Sequence, residues 1–154
     1  DVARGQDQLA AVVAHEVAHV LADHHNARIS AQYATQAGLS LVDAVVGGGA
    51  GSSQIMGLLG LGARYGVLMP YSRAQESESD TIGLELMARA GFDPRASVDL
   101  WRNMAAAGGP SPPAFLSTHP SGGQRIDNLQ RRMPEAMALY REARSAGRRP
   151  DCRS

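Results

Sequence analysis

The chain has 154 residues, and its 15 basic and 15 acidic side chains cancel formally at pH 7. That is one domain's worth of chain, long enough to bury a core, and the balanced charge excludes a general attraction to nucleic acid or to a strongly charged substrate. A lone cysteine, Cys152, excludes an internal disulfide and makes no metal site by itself.

In chain order, Asp7 is placed to cap a helix that starts at Gln8. Leu9, Val12, Val13, Val17, Val20 and Leu21 recur at helical spacing, so this helix is expected to bury them as a stripe and to run to about residues 23–25. His24 and His25 then fall at its carboxyl end, where solvated histidines are ordinary. A helical segment continues through Gln36, and Gly38 is the expected stop. From Leu39 to Gly66 the chain is apolar and glycine-rich. Gly47-Gly48-Gly49 and Gly51 divide it into two short helical pieces joined by a connector. Glycines and Arg64 keep the run from Leu39 to Met69 short of an unbroken membrane span. Pro70 and Ser72 introduce a helix over 73–90, closed by Gly91, with Ile82, Leu84, Leu86 and Met87 facing inward. Phe92-Asp93-Pro94 forms a turn, and the next helix passes Trp101 and Met104 to about Ala107. Residues 108–120 read as loop. A helix over 122–133 follows, Pro134 begins another to about Ala146, and the tail from Gly147 is expected to fray. Strand signals are almost absent, so the fold class is mainly α. No signal peptide precedes the first helix, and the chain reads as one domain over 1–154 and as a piece of a longer protein.

The chemistry concentrates in the first helix. Ala14-His15-Glu16-Val17-Ala18-His19 spells H-E-x-x-H among good helix formers. Positions four apart share a helix face, so His15 and His19 can aim imidazole nitrogens at one ion while Glu16 stands beside the first. Two neutral nitrogen ligands and a carboxylate able to take a proton from water are what a catalytic zinc site requires. A third ligand has two candidates. His25 sits ten positions after His15, the metzincin spacing, and Leu68-Met69-Pro70-Tyr71 hints at a methionine turn. Ala22 stands where that pattern needs a turning glycine, and on a continuing helix His25 falls about 15 Å along the axis from His15. The better candidate is Glu76, which shares a helix face with Asp80. One carboxylate can bind the ion while the other orients a ligand histidine through its far ring nitrogen. Glu78 points to another face and is expected to be solvated.

The stretches Leu9–His19, Pro70–Gly83, Gly91-Phe92-Asp93-Pro94 and Leu116-Ser117-Thr118-His119-Pro120-Ser121, then Arg125-Ile126, stand in one order along the chain. Together they resemble the zinc metallopeptidases of the HtpX and CAAX-prenyl-protease type, and among them the bacterial periplasmic BepA, LoiP and YcaL members most. The resemblance implies a zincin-like catalytic domain of gluzincin type, with zinc held by His15, His19 and Glu76. It implies Glu16 as general base and acid, with Asp80 behind the ligands. His119 is implied as a second catalytic group, a donor to the oxyanion. Arg125 is implied to assist or to hold that loop, and Tyr71 is an alternative oxyanion donor or a packing residue. Protein substrates, a role in envelope protein quality control, and a periplasmic or outer-membrane-associated location come with the resemblance. So does an edge strand that pairs with substrate, which nothing in this chain supplies: either that segment was removed or a separate N-terminal fragment carries it. Two rival readings are a chaperone or scaffold on a peptidase fold, and binding to anionic membrane through Arg131, Arg132, Arg141, Arg144, Arg148 and Arg149. Glu135 and Glu142 dilute that last cluster into a solvated face.

Overall fold

The computed structural model describes residues 2–46, 57–62, 71–107, 115–119 and 122–152. Among these there is no strand. The helices are α1 (Gln6–Leu21), α2 (His24–Val46), the short α3 (57–62), α4 (Arg73–Ala90), α5 (Arg95–Ala106), α6 (Phe115–Thr118) and α7 (Gly123–Ser145). The glycine-rich connector at 47–53 and the methionine-turn residues 68–70 lie outside the described residues. No described helix is long and apolar enough to cross a membrane.

α4 is the central element, packed on α1 along one side and on α7 along the other, with α5 closing the base against both. Its ends are set locally. Ser72 and Gln75 form a reciprocal capping box, and Gly91 closes the helix in the left-handed conformation at φ 90°. The core below joins Ala11, Ala14, Leu84, Met87, Ala88, Leu100, Trp101, Met104 and Leu129. Ile82 and Leu86 are only half-buried.

The buried face of α1 is not the one the apolar pattern predicts. Ala11, Ala14, His15, Ala18 and His19 face inward, while Leu9, Val13, Val17, Val20 and Leu21 are each more than 40% exposed. Side-chain size explains the choice. α1 and α4 cross so closely that a Cβ on Gly83 would stand 3.0 Å from the His15 backbone nitrogen and 3.1 Å from the Ala14 carbonyl. Alanines fit between helices at that separation; valines and leucines do not. Hydrophobic periodicity locates stripes without revealing which of them has a small-residue partner.

Other boundaries also moved. Gly5, not Asp7, stands at the N-cap of α1, and the Asp7 carboxylate instead accepts from the Asp93 backbone at 3.0 Å. α1 stops at Leu21, Asp23 adopts φ 60°, and α2 starts at His24 and runs straight through Gly38. Asp is one of the few non-glycine residues that tolerates the left-handed region, so a single residue turns the chain. Pro134 lies inside α7 instead of dividing it. Leu129 on one side and Ala136 and Ala143 on the other are all buried, and packing of both halves outweighs the one lost hydrogen bond. The tail is not frayed over its described length. Arg148 donates through its backbone to Ala143 and through its side chain to Arg89, while Gln6 bonds to Pro150 and Cys152.

Candidate metal centre

Two helices and a loop converge at one point. α1 supplies His15 and His19 one turn apart on its inward face, and α4 supplies Glu76 from its first turn. Residue 119, directly after α6, supplies His119. One ligand atom from each of these four buried residues lies within 4.8 Å of every other. His15 Nε2 is 3.1 Å from His19 Nε2, and Glu76 Oε1 is 3.3 Å from His19 Nε2. His119 Nδ1 sits 3.2 Å from His15 Nε2 and 3.0 Å from Glu76 Oε1. A tetrahedral zinc with nitrogen ligands at about 2.0–2.1 Å separates its donors by roughly 3.3–3.4 Å, so the spacing fits.

The hydrogen inventory fits as well. His15 Nδ1 faces Asp80 Oδ1 at 3.1 Å, which places the ring proton there and leaves a lone pair on Nε2 aimed at the centre. Lone pairs from imidazoles and a carboxylate repel one another unless a proton or a cation lies between them. Two buried oxygens, Glu16 Oε1 and Glu76 Oε2, accept no well-aligned hydrogen bond. His119 Nε2 nonetheless stands 3.3 Å from the first, and Arg125 Nη1 is in ion contact with the second. Around this point stand the carboxylates of Glu16, Glu76 and Asp80, and among the described residues one guanidinium, that of Arg125, pairs with the last two. One dication cancels the excess of two negative charges. The residues present therefore fit a divalent metal.

Arg125 is locked in place rather than reaching outward. Its Nε and Nη2 donate to Asp80 Oδ2 and Oδ1 at 2.7 Å each, and its guanidinium lies 3.7 Å above the Trp101 ring centre. Tyr71 packs its ring 4.1 Å from that of His19 and pairs its hydroxyl with His25 Nδ1 at 2.9 Å. The backbone nitrogen of Tyr71 donates to Thr118, which ties the start of α4 to the His119 loop. His25 itself lies outside the donor cluster.

Protonation follows the same contacts. Burial depresses the pKa of His15, but the hydrogen bonds with Asp80 and Glu76 more than offset this and raise it above 6.5. In His19 burial prevails and the pKa falls. Burial pushes Glu76 upward, yet hydrogen bonds from His119, His15 and His19, with the Arg125 charge, hold its carboxyl far below the usual range.

One residue was misread in the sequence. His24 is not solvated but 4% exposed, with Nδ1 3.0 Å from His19 Nδ1 and Nε2 3.2 Å from Glu78 Oε2. Glu78 is thus engaged, although its side chain remains more than half exposed. The signal available was Asp23, whose tolerance of the left-handed region permits the chain to turn and bring the next residue back.

A mainly helical domain that gathers such donors beside a free carboxylate is a zincin-like metallopeptidase domain. The chain belongs to peptidase family M48, whose profile matches residues 1–133. Mitochondrial metalloendopeptidase OMA1 of Schizosaccharomyces pombe is 42% identical over 136 residues, covering 86% of this chain and 38% of its own length. The Saccharomyces cerevisiae protein of that name is 36% identical over 149 residues, covering 92% and 41%. The beta-barrel assembly-enhancing protease of Escherichia coli is 32% identical over 136 residues, covering 82% and 27%. The chain therefore spans about two fifths of the two yeast relatives. No solved structure matches it significantly. These findings correct two expectations. The bacterial periplasmic members are not the better match, and a periplasmic or outer-membrane location is overturned by relatives of higher identity that are named mitochondrial.

Proposed function

We propose that the chain is the catalytic part of a zinc endopeptidase that hydrolyses peptide bonds in protein substrates. The convergence of His15 Nε2, His19 Nε2 and Glu76 Oε1 on one point, with Glu16 beside it, carries this reading. Those three side chains would hold the metal, which makes the site a gluzincin in type. Zinc supplies Lewis-acid polarisation of the scissile carbonyl and a lowered pKa for water. Glu16 takes the proton from the attacking water and delivers it to the leaving amine. Asp80 keeps the His15 ring in the tautomer that presents Nε2, and Arg125 holds Asp80 and Glu76 in place.

The His119 ring stands beside the ligand atoms, its Nδ1 3.2 Å from His15 Nε2 and 3.0 Å from Glu76 Oε1, and would donate to the carbonyl oxygen as charge develops there. The Tyr71 hydroxyl, occupied by His25, is the weaker candidate for that task. A role in protein quality control has no support beyond the name of the beta-barrel assembly-enhancing protease relatives.

Metal analysis of the purified chain gives about one zinc, and Glu76→Ala gives little or none. Glu16→Gln retains zinc but loses cleavage of an unfolded protein by at least about a hundredfold. Cleavage by Glu16→Gln at the normal rate, or cleavage that survives a chelator, overturns the mechanism, and no cleavage by the zinc-loaded chain favours a scaffold that cuts nothing by itself.

A further inference from the structure

We propose that His24 is a positioning residue that fixes the tautomer of the ligand His19, and that Glu78 fixes His24 in turn. This rests on the metal reading above and extends it to two residues that no motif identifies. Ligation by His19 through Nε2 requires a lone pair there, so the ring proton must sit on Nδ1. A buried ring proton needs an acceptor, and the group facing it at 3.0 Å is His24 Nδ1. His24 must then carry its own proton on Nε2, where Glu78 Oε2 accepts it at 3.2 Å. Every ring hydrogen in the chain Glu78–His24–His19 has one acceptor, and no nitrogen needs a second proton. The Ser79 hydroxyl, 3.3 Å from His24 Nδ1, confines the ring from the side. His15 has its equivalent in Asp80, so both ligand imidazoles are oriented from behind, one by a carboxylate directly and one by a carboxylate through a second imidazole. The turn at Asp23 aims His24: without φ 60° at that residue the helix would continue and carry the ring away from His19.

The test is zinc affinity, measured by competition with a chromophoric chelator, in the whole chain, three single variants and one double variant. His24→Leu keeps bulk but removes the acceptor, and affinity falls about 10–100-fold. His24→Asn places an amide oxygen where Nδ1 stood and recovers most of that loss, within about threefold of the unmodified chain. Glu78→Ala weakens binding less, and its effect disappears in the His24→Leu background because the relay is already broken. Ring nitrogen shifts of His19 in the zinc-loaded protein report the tautomer directly and move in His24→Leu. Far-ultraviolet circular dichroism separates this from a folding defect: all the variants keep the helical signal. Equal zinc affinity in His24→Leu, or Glu78→Ala effects that persist undiminished beside it, overturns the relay alone. Failure of the unmodified chain to bind zinc removes the proposed function and the relay with it.

Discussion

At the scale of single residues, the centre is a set of carboxylates and imidazoles that a cation would help to balance. Asp80 is the clearest case, because it serves the His15 ring on one side and the Arg125 guanidinium on the other. Asp80→Ala takes the two-pronged carboxylate partner from the buried Arg125, so chemical unfolding of the chelator-treated chain should show a loss of about 3–5 kcal/mol. Zinc affinity of the same variant should drop about 10–100-fold, since the ring is no longer held. Proton competition is predictable as well. His15 alone among the three ligands has a raised pKa, while His19 and Glu76 are lowered. In the metal-free chain the His15 proton stabilises the fold below pH 6.5, and that contribution fades as pH rises through the raised value. A metal must expel this proton. Zinc affinity should therefore climb with pH through that window by up to about tenfold per unit, with one proton released, and level off above it. Affinity flat from pH 6 to 8 would contradict this. That His15, Glu16 and His19 stand together was legible from the sequence because helical spacing is a rigid ruler, whereas Glu76, on another helix, was singled out by the face it shares with Asp80 and by the family resemblance. His24 was not, since its part depends on one residue's dihedral angle.

At the scale of elements, the crossing of α1 and α4 determines whether the ligands meet. Gly83 lies at that crossing, and a methyl group there would press on the backbone of Ala14 and His15. In an isolated helix Gly83→Ala would gain about 1 kcal/mol from propensity. Here the helices must part, so thermal unfolding should show a net loss of about 1–3 kcal/mol together with weaker zinc binding. A gain in both would mean that α1 can shift freely. Helix existence and the Ser72 and Gly91 caps of α4 were readable, since caps are local chemistry. The orientation of α1 and the continuity of α7 through Pro134 were not, because both are decided by tertiary packing that a single sequence does not display.

At the scale of the whole molecule, a bound metal would add a tie between α1 and α4, which already cross closely. α2 makes few contacts with α1, and the His119 loop is tied to α4 mainly through Tyr71 and Glu76. Ligands from both α1 and α4 on one ion would make metal binding part of folding stability. At a free zinc concentration about a hundred times its dissociation constant this is worth about 2.7 kcal/mol, and chelation should lower the melting temperature by roughly 5–10 °C. An unchanged melting temperature would show that the protein layers alone hold the site. The family and its mainly helical, zincin-like domain were within reach of the sequence, whereas cellular location was not, because no residue of the site depends on it. The outward stripe of α1 has a practical consequence. Leu9, Val13, Val17, Val20 and Leu21 form an oily ridge on the back of the helix that carries the ligands. In dilute buffer such a ridge makes the isolated chain prone to clumping, and the handling of samples will be governed less by the reactive centre than by the bare surface behind it.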